Sequence, residues 1–163
     1  MKTNRDLVLA VTALMLPIAH AAEPPELKEG LWSIHQQTTD NPGNKKSEGN
    51  SKICRSHAYD QHVRTLAKAQ TTCKISESFQ SGKYSAQGHC VVSGTTIDTR
   101  VAVTYQGDVA SHSETHTTYT PALAGTAEST MIMDQKYVGG CPAGIQPGDR
   151  IAANGMVNHL WKH

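Results

Sequence analysis

Aromatic residues are scarce in this chain: one phenylalanine, two tryptophans and five tyrosines in 163 residues. A domain so short of large side chains fills its interior with small ones, and its strand-like segments are built of Thr, Ser, Ala and Val. Burial then leaves a thin stability margin, and covalent cross-links become the expected supplement. A surplus of charge is missing too, with 15 Lys and Arg against 14 Asp and Glu. The longest basic run is Lys45-Lys46, so nothing suggests a polyanion-binding surface, and no nucleic acid is expected as a partner. Long apolar runs are absent. The most apolar stretch, Leu7 to Leu16, has ten residues, too few to cross a bilayer as a helix. Enzyme signatures are lacking as well: there is no GxSxG elbow, no phosphate-cradling glycine loop and no HExxH. The expectation is a non-enzymatic protein without a cofactor.

What is present begins with a targeting segment. Lys2 and Arg5 give a positive start, Leu7 to Leu16 an apolar centre, and Ala19-His20-Ala21 a small-x-small cleavage site. Residues 1–21 therefore read as a signal peptide cleaved after Ala21, leaving 163 − 21 = 142 residues, enough for one domain. Removing Lys2, Arg5 and Asp6 leaves 13 basic against 13 acidic residues, from 15 − 2 and 14 − 1. Eight of nine histidines remain, so the exported chain turns cationic as pH falls through ~6.5. All four cysteines lie in the exported part with no CxxC spacing, and an even count behind an export signal favours disulfides over a metal knuckle.

The stretch Cys73 to Cys90 organises the rest. With Ser81-Gly82 as a two-residue turn, the opposing pairs become Gln80/Lys83, Phe79/Tyr84, Ile75/Gly88 and Cys73/Cys90. Cys73 and Cys90 fall on a non-hydrogen-bonded pair, where side chains come closest. Cys54 and Cys141 are left to pair with each other. Ile75, Phe79, Tyr84 and Ala86 share the cysteine face, while Lys74, Ser76, Ser78, Gln80, Lys83, Ser85, Gln87 and His89 share the other. Such period-two alternation marks an antiparallel sheet packed on one face.

Around this hairpin the chain reads as a β-meander. Strands are expected at about 31–39, 51–54, 109–119 and 126–137, with Asp40 to Asn50 a polar loop. Ser56 is a good N-cap for a helix over about 57–69, with Tyr59, Val63, Leu66 and Ala67 as its apolar stripe and Asp60–Arg64 pairing on its surface. A turn with Gly94 at its first central position pairs Val92 with Ile97 and Tyr84 with Tyr105, and sets Val101 and Val103 on the inner face. Residues 22–141 form the β domain. Residues 142–163 lack periodicity and read as an irregular tail that docks through Leu160 and Trp161.

The chain resembles the bacterial exported family Domain of Unknown Function 3617 (DUF3617). The likeness is carried by Leu27-Lys28-Glu29-Gly30-Leu31-Trp32, by Lys52-Ile53-Cys54-Arg55 with a short helix after it, and by Thr71-Thr72-Cys73-Lys74-Ile75. Tyr105-Gln106-Gly107-Asp108 and Tyr137-Val138-Gly139-Gly140-Cys141 complete it. The resemblance covers about residues 26–141. It implies a β-rich fold and the periplasm of a Gram-negative bacterium, and it lends no activity and no catalytic residues. One departure stands out: a strand that in such proteins often alternates Thr with Met here reads His112-Ser113-Glu114-Thr115-His116.

His112, Glu114 and His116 share one face of their strand, an array that invites a metal reading. Residues i and i+4 of a strand lie ~13 Å apart, so one ion takes two of the three at most. Which face they occupy depends on the preceding loop. A two-residue Gly107-Asp108 turn sets them inside with Val101, Val103 and Tyr105, and a three-residue loop turns them to solvent. The family-like alternation favours inside. Glu77 is the one charged residue on the inner face of the hairpin, either at a sheet rim or across a cavity from one of these histidines.

The sequence thus describes an all-β domain with one short helix, a curved antiparallel meander or half-closed barrel with two disulfides. The first functional expectation is a periplasmic binding protein for a small apolar or amphipathic ligand, with Val101, Val103, Tyr105, His112, Glu114, His116 and Glu77 lining its pocket. The second is an interaction module for an envelope protein, acting through a sheet edge or the tail. Metal binding through His112, Glu114 and His116 is the third.

Overall fold

A computed structural model describes residues 23–69 and 72–161; the expected signal peptide, residues 1–21, lies outside them. Nine strands form one open antiparallel sheet: β1 Gly30–Asn41, β2 Lys45–Arg55, β3 Cys73–Gln80, β4 Lys83–Val92, β5 Thr95–Gln106, β6 Ala110–Leu123, β7 Thr126–Gly139, β8 Asp149–Ala152 and β9 Val157–His159. Their order across the sheet is β3-β4-β5-β6-β7-β1-β2-β8-β9. The meander β3 to β7 is therefore extended by the β1–β2 hairpin, which docks against β7, and then by the last two strands. One helix among the described residues, α1 His57–Lys68, carries the chain from β2 back to the far edge at β3.

Tight turns set most of the register. Ser81-Gly82, Ser93-Gly94 and Ala124-Gly125 each have positive φ at both positions, the two-residue geometry whose twist matches antiparallel strands. The first turn gives the expected pairs, ending with Cys73 across from Cys90. Their Cα atoms are 4.1 Å apart, and the second disulfide joins Cys54 to Cys141 at 5.6 Å. The second turn centres on Ser93-Gly94, so Val92 faces Thr95 and Tyr84 faces Val103. This corrects the expected pairing by two residues, a shift that leaves every side chain on its expected face.

Three segments depart from the sequence reading. The polar stretch after Asp40 is largely strand, since β2 starts at Lys45 and pairs along its whole length with β1. Its first six residues are exposed, so no apolar alternation marks them. Pro121 does not end β6, which runs on to Leu123. The proline sits in the irregularity between Thr118 and Leu123, where a missing N–H costs no ladder bond. The expected irregular tail forms β8 and β9, with β8 pairing to Ser51–Ile53 of β2. Trp161 does dock, stacking on His62 and packing against Tyr59 of the helix. Leu160 stays exposed.

The core lies on one face of the sheet, called inner here, under the N-terminal lead-in and the helix start. Leu27, Trp32, Ile34 and Ile53 form it, with Tyr59, Tyr105, Met133 and Tyr137 packed around them. Trp32 is 0% exposed. Its indole N–H donates to the Lys28 carbonyl at 2.8 Å, its ring meets Tyr137 edge-on at 6.1 Å, and Arg55 lies over it at 5.4 Å. A buried tryptophan with its N–H satisfied is a large fraction of what so small a core can gain.

Candidate functional site

The helix is anchored at its first turn, and beyond it meets other elements through His62, stacked on Trp161, and Lys68, beside Glu77. Ser56 caps it by accepting from the Tyr59 N–H at 3.2 Å, and Glu29 of the lead-in accepts from the His57 N–H at 2.8 Å. Asp60 pairs with Arg55 at 3.0 Å, not with Arg64 as the helical spacing suggested. The stripe expected to pack does so only at Tyr59. Val63 is 44% exposed and Leu66 53%, because the helix stands off the sheet after its first turn. Arg64 and Lys68, four residues apart, project over the gap.

That gap is a groove of about 430 Å³ on the inner face, lined by Arg64, Lys68, Glu77, Phe79, Tyr84 and Tyr105, with Glu23 and Pro24 of the lead-in. Its volume falls in the range of small-molecule sites. Period-two alternation aims Glu77, Phe79, Tyr84 and Tyr105 to the same side of three adjacent strands. Phe79 and Tyr105 meet edge to face at 6.2 Å. Glu77 accepts a 2.6 Å hydrogen bond from the Tyr84 hydroxyl and lies 3.6 Å from the Lys68 ammonium. Burial raises the pKa of Tyr105, with Arg64 and Arg55 opposing. Burial also raises that of Tyr84, and the bond to Glu77 raises it further. Both phenols stay protonated at neutral pH; the Tyr84 O–H is committed to Glu77, and the Tyr105 hydroxyl offers a donor beside the aromatic surface.

The residues singled out from sequence divide between the two faces. Tyr105 and Glu77 line the groove. Val103 faces Tyr84 and Val101 faces Ala86 on the same side of the sheet, continuing the groove's floor without lining it. His112, Glu114 and His116 lie on the opposite face. The loop Gly107-Asp108-Val109 has three residues, with Gln106 facing Ala110, and this sets the trio across from Thr104, Ala102 and Arg100. One residue more in the loop reverses the face.

On that outer side the histidines pair with carboxylates of β6 and β7. His112 Nδ1 is 2.7 Å from Asp134 and its Nε2 3.4 Å from Glu114, while His116 lies 3.4 Å from Glu128. The bond to Asp134, aided by Glu114, raises the His112 pKa. Neither histidine meets Glu77. Among the described residues no group of three or more His, Cys, Asp or Glu is placed to hold a metal ion.

Arg64, Lys68, Phe79 and Tyr84 were not singled out as site residues by sequence reasoning. Phe79 and Tyr84 were legible as neighbours of Tyr105 once their common face was known. Arg64 and Lys68 carried one signal, a shared helical face, which read equally well as solvated surface.

A family described as a protein of unknown function, DUF3617, matches residues 27–141. The chain belongs to this DUF3617 family. No curated protein matches it. The DUF3617 match ends at Cys141, so β8 and β9 lie beyond it. Within the matched span three contacts join the strand ends. Gly30 abuts Gly139, Trp32 packs on Tyr137, and Cys54 is bonded to Cys141. These contacts fasten β1 and β2 to the end of β7 and do not form the groove.

Proposed function

We propose that this DUF3617 protein is exported to the periplasm and binds a small amphipathic ligand in the inner groove, without catalysing a reaction. The observation that carries the reading is an accessible aromatic floor beneath a helix that brings two cations, Arg64 and Lys68, to its rim. Phe79, Tyr84 and Tyr105 offer apolar and edge contacts to a flat or branched body. Arg64, Lys68 and the paired Glu77 offer polar recognition at one end. Polar groups few in number beside an apolar wall are the usual composition of a ligand site. Export is supported by the sequence of residues 1–21, and two disulfides with no free cysteine among the described residues suit an oxidising compartment. No helix among the described residues is long and apolar enough to cross a membrane.

N-phenyl-1-naphthylamine, a neutral probe that brightens in apolar sites, tests the groove directly. Saturable brightening should appear with the exported chain and weaken at least tenfold in Tyr105→Glu. Equal binding by the two proteins would refute the assignment. A protein partner seated on the helix is the second reading, favoured by the exposure of Val63 and Leu66. Cross-linking through a cysteine placed at position 66 would capture such a partner.

A further inference from the structure

The outer face carries a larger recess than the inner one. Cross-strand register arranges its side chains in rows. Lys52, Ser33, Lys136 and Ala110 form one row over β2, β1, β7 and β6, and Asn50, His35, Asp134 and His112 form the next. The C-terminal segment builds a wall beside them. The Cys54–Cys141 bridge fixes Pro142 at one end, and β8 pairs with β2 so that Ile151 lies across from Lys52. Beyond β8 the chain turns back, with the Gly155 N–H donating to the Ala152 carbonyl at 2.9 Å. Together these elements enclose a groove of about 660 Å³.

The lining combines two chemistries. Leu31, Ala110, Pro142, Ile151 and Ala153 supply apolar surface, and Leu31 is only 8% exposed. The polar side is cationic in excess. Lys52 and Lys136 flank Ser33 on neighbouring strands, about 10 Å apart at their backbones, and among the described residues neither forms an ion pair. The groove's one carboxylate, Asp134, is already held by His112 at 2.7 Å. Two uncompensated ammonium groups beside an apolar trough call for a negative head on an apolar body. An inorganic anion would leave the trough unused, and a neutral lipid would leave the lysines unused.

We infer that this groove is a second ligand site, for a single-chain anionic amphiphile of the alkyl carboxylate class. It is independent of the inner groove, on the opposite face, and it depends on the C-terminal hairpin that lies beyond the DUF3617 match. Each methylene buried in the trough contributes about fourfold in affinity. Chain length and head-group charge therefore act as separate determinants.

Isothermal titration of the exported chain with dodecanoate below its micelle concentration tests the site, with octanoate and dodecanol for comparison. The site predicts saturable binding of one dodecanoate through these lysines, at least tenfold weaker binding of octanoate and of dodecanol, and a tenfold or greater loss in Lys52→Glu/Lys136→Glu. Both lysines are exposed, so the variant should fold. The neutral pair Lys52→Gln/Lys136→Gln repeats the test without reversing charge. Lys46→Glu/Lys83→Glu makes the same net change elsewhere on the surface and should bind as the parent does. No saturable binding would overturn the assignment, as would equal affinity for dodecanol or no loss in both Lys52/Lys136 variants. Binding that survives these variants but is lost in Tyr105→Glu would place dodecanoate in the inner groove instead.

Discussion

Replacing Gly30 with alanine should be far more damaging than the same change at Gly43, and the difference isolates one contact. Both glycines have positive φ, +133° and +98°, where an L side chain is strained. A methyl at position 43 would meet nothing within 4 Å. That substitution carries only backbone strain, less the entropy it removes from the unfolded chain, and should cost about 1 kcal/mol. At position 30 the methyl would meet the carbonyl oxygen of Gly139 and lie 2.9 Å from the Tyr137 ring. The carbonyl belongs to the backbone of β7 beside the β1–β7 bulge, so relief requires the two strands to part. Strain together with overpacking of this kind comes to about 3–5 kcal/mol, a large share of a typical domain's stability. Urea unfolding followed by far-ultraviolet circular dichroism measures both variants. The expected result is a midpoint for Gly30→Ala well below that of Gly43→Ala, with similar slopes. Equal midpoints would refute the claim that Gly30 is required by the approach of Gly139.

Other consequences follow from the same geometry. Trp32→Ala removes a fully buried ring with its indole hydrogen bond and edge contact, and should cost about 3–5 kcal/mol in the same assay; a loss below 1 kcal/mol would mean the core lies elsewhere. Cys73→Ala/Cys90→Ala opens a loop with a sequence separation of 17, and Cys54→Ala/Cys141→Ala one of 87. On the chain-entropy relation these cost about 3 and between 4 and 5 kcal/mol, so thermal unfolding should rank the second pair lower. The His112 ring should titrate above the ordinary histidine value of about 6.5, because Asp134 and then Glu114 hold its proton in the folded state. Its contribution to stability is therefore fully present below the unfolded pKa and lost as pH rises through the folded one. Proton resonance titration of Asp134→Asn should show that pKa fall, and no change would remove Asp134 as the cause.

Legibility in the sequence tracked how many constraints fell on each segment. The Cys73–Cys90 hairpin could be read in full because the Ser81-Gly82 turn, the alternation and the cysteine spacing all demand one register. The following turn was misplaced by two residues without consequence, since faces repeat with period two. The Gln106-to-Ala110 loop differed from its alternative by one residue, and that moved His112, Glu114 and His116 to the other side of the sheet. The first half of β2 carries no apolar side chain; backbone pairing with β1, aided by His35 reaching Asn50 and Glu48, organises it and leaves no mark in hydropathy. β8 and β9, with four residues and three, are too short for periodicity to register. The groove was half legible. Tyr105 and Glu77 follow from alternation, but Arg64 and Lys68 come from a helix whose distance from the sheet is a tertiary fact.

Native mass spectrometry of the chain purified from the expressing bacterium, without chelators or affinity tags, is the most direct test of ligand binding in the inner groove. The expected result is a reproducible added mass on a protein short by four hydrogens for its two disulfides, retained in Val63→Ser and lost in Tyr105→Glu. A bare protein of that mass, or an added mass undiminished in Tyr105→Glu, would contradict ligand binding in the inner groove.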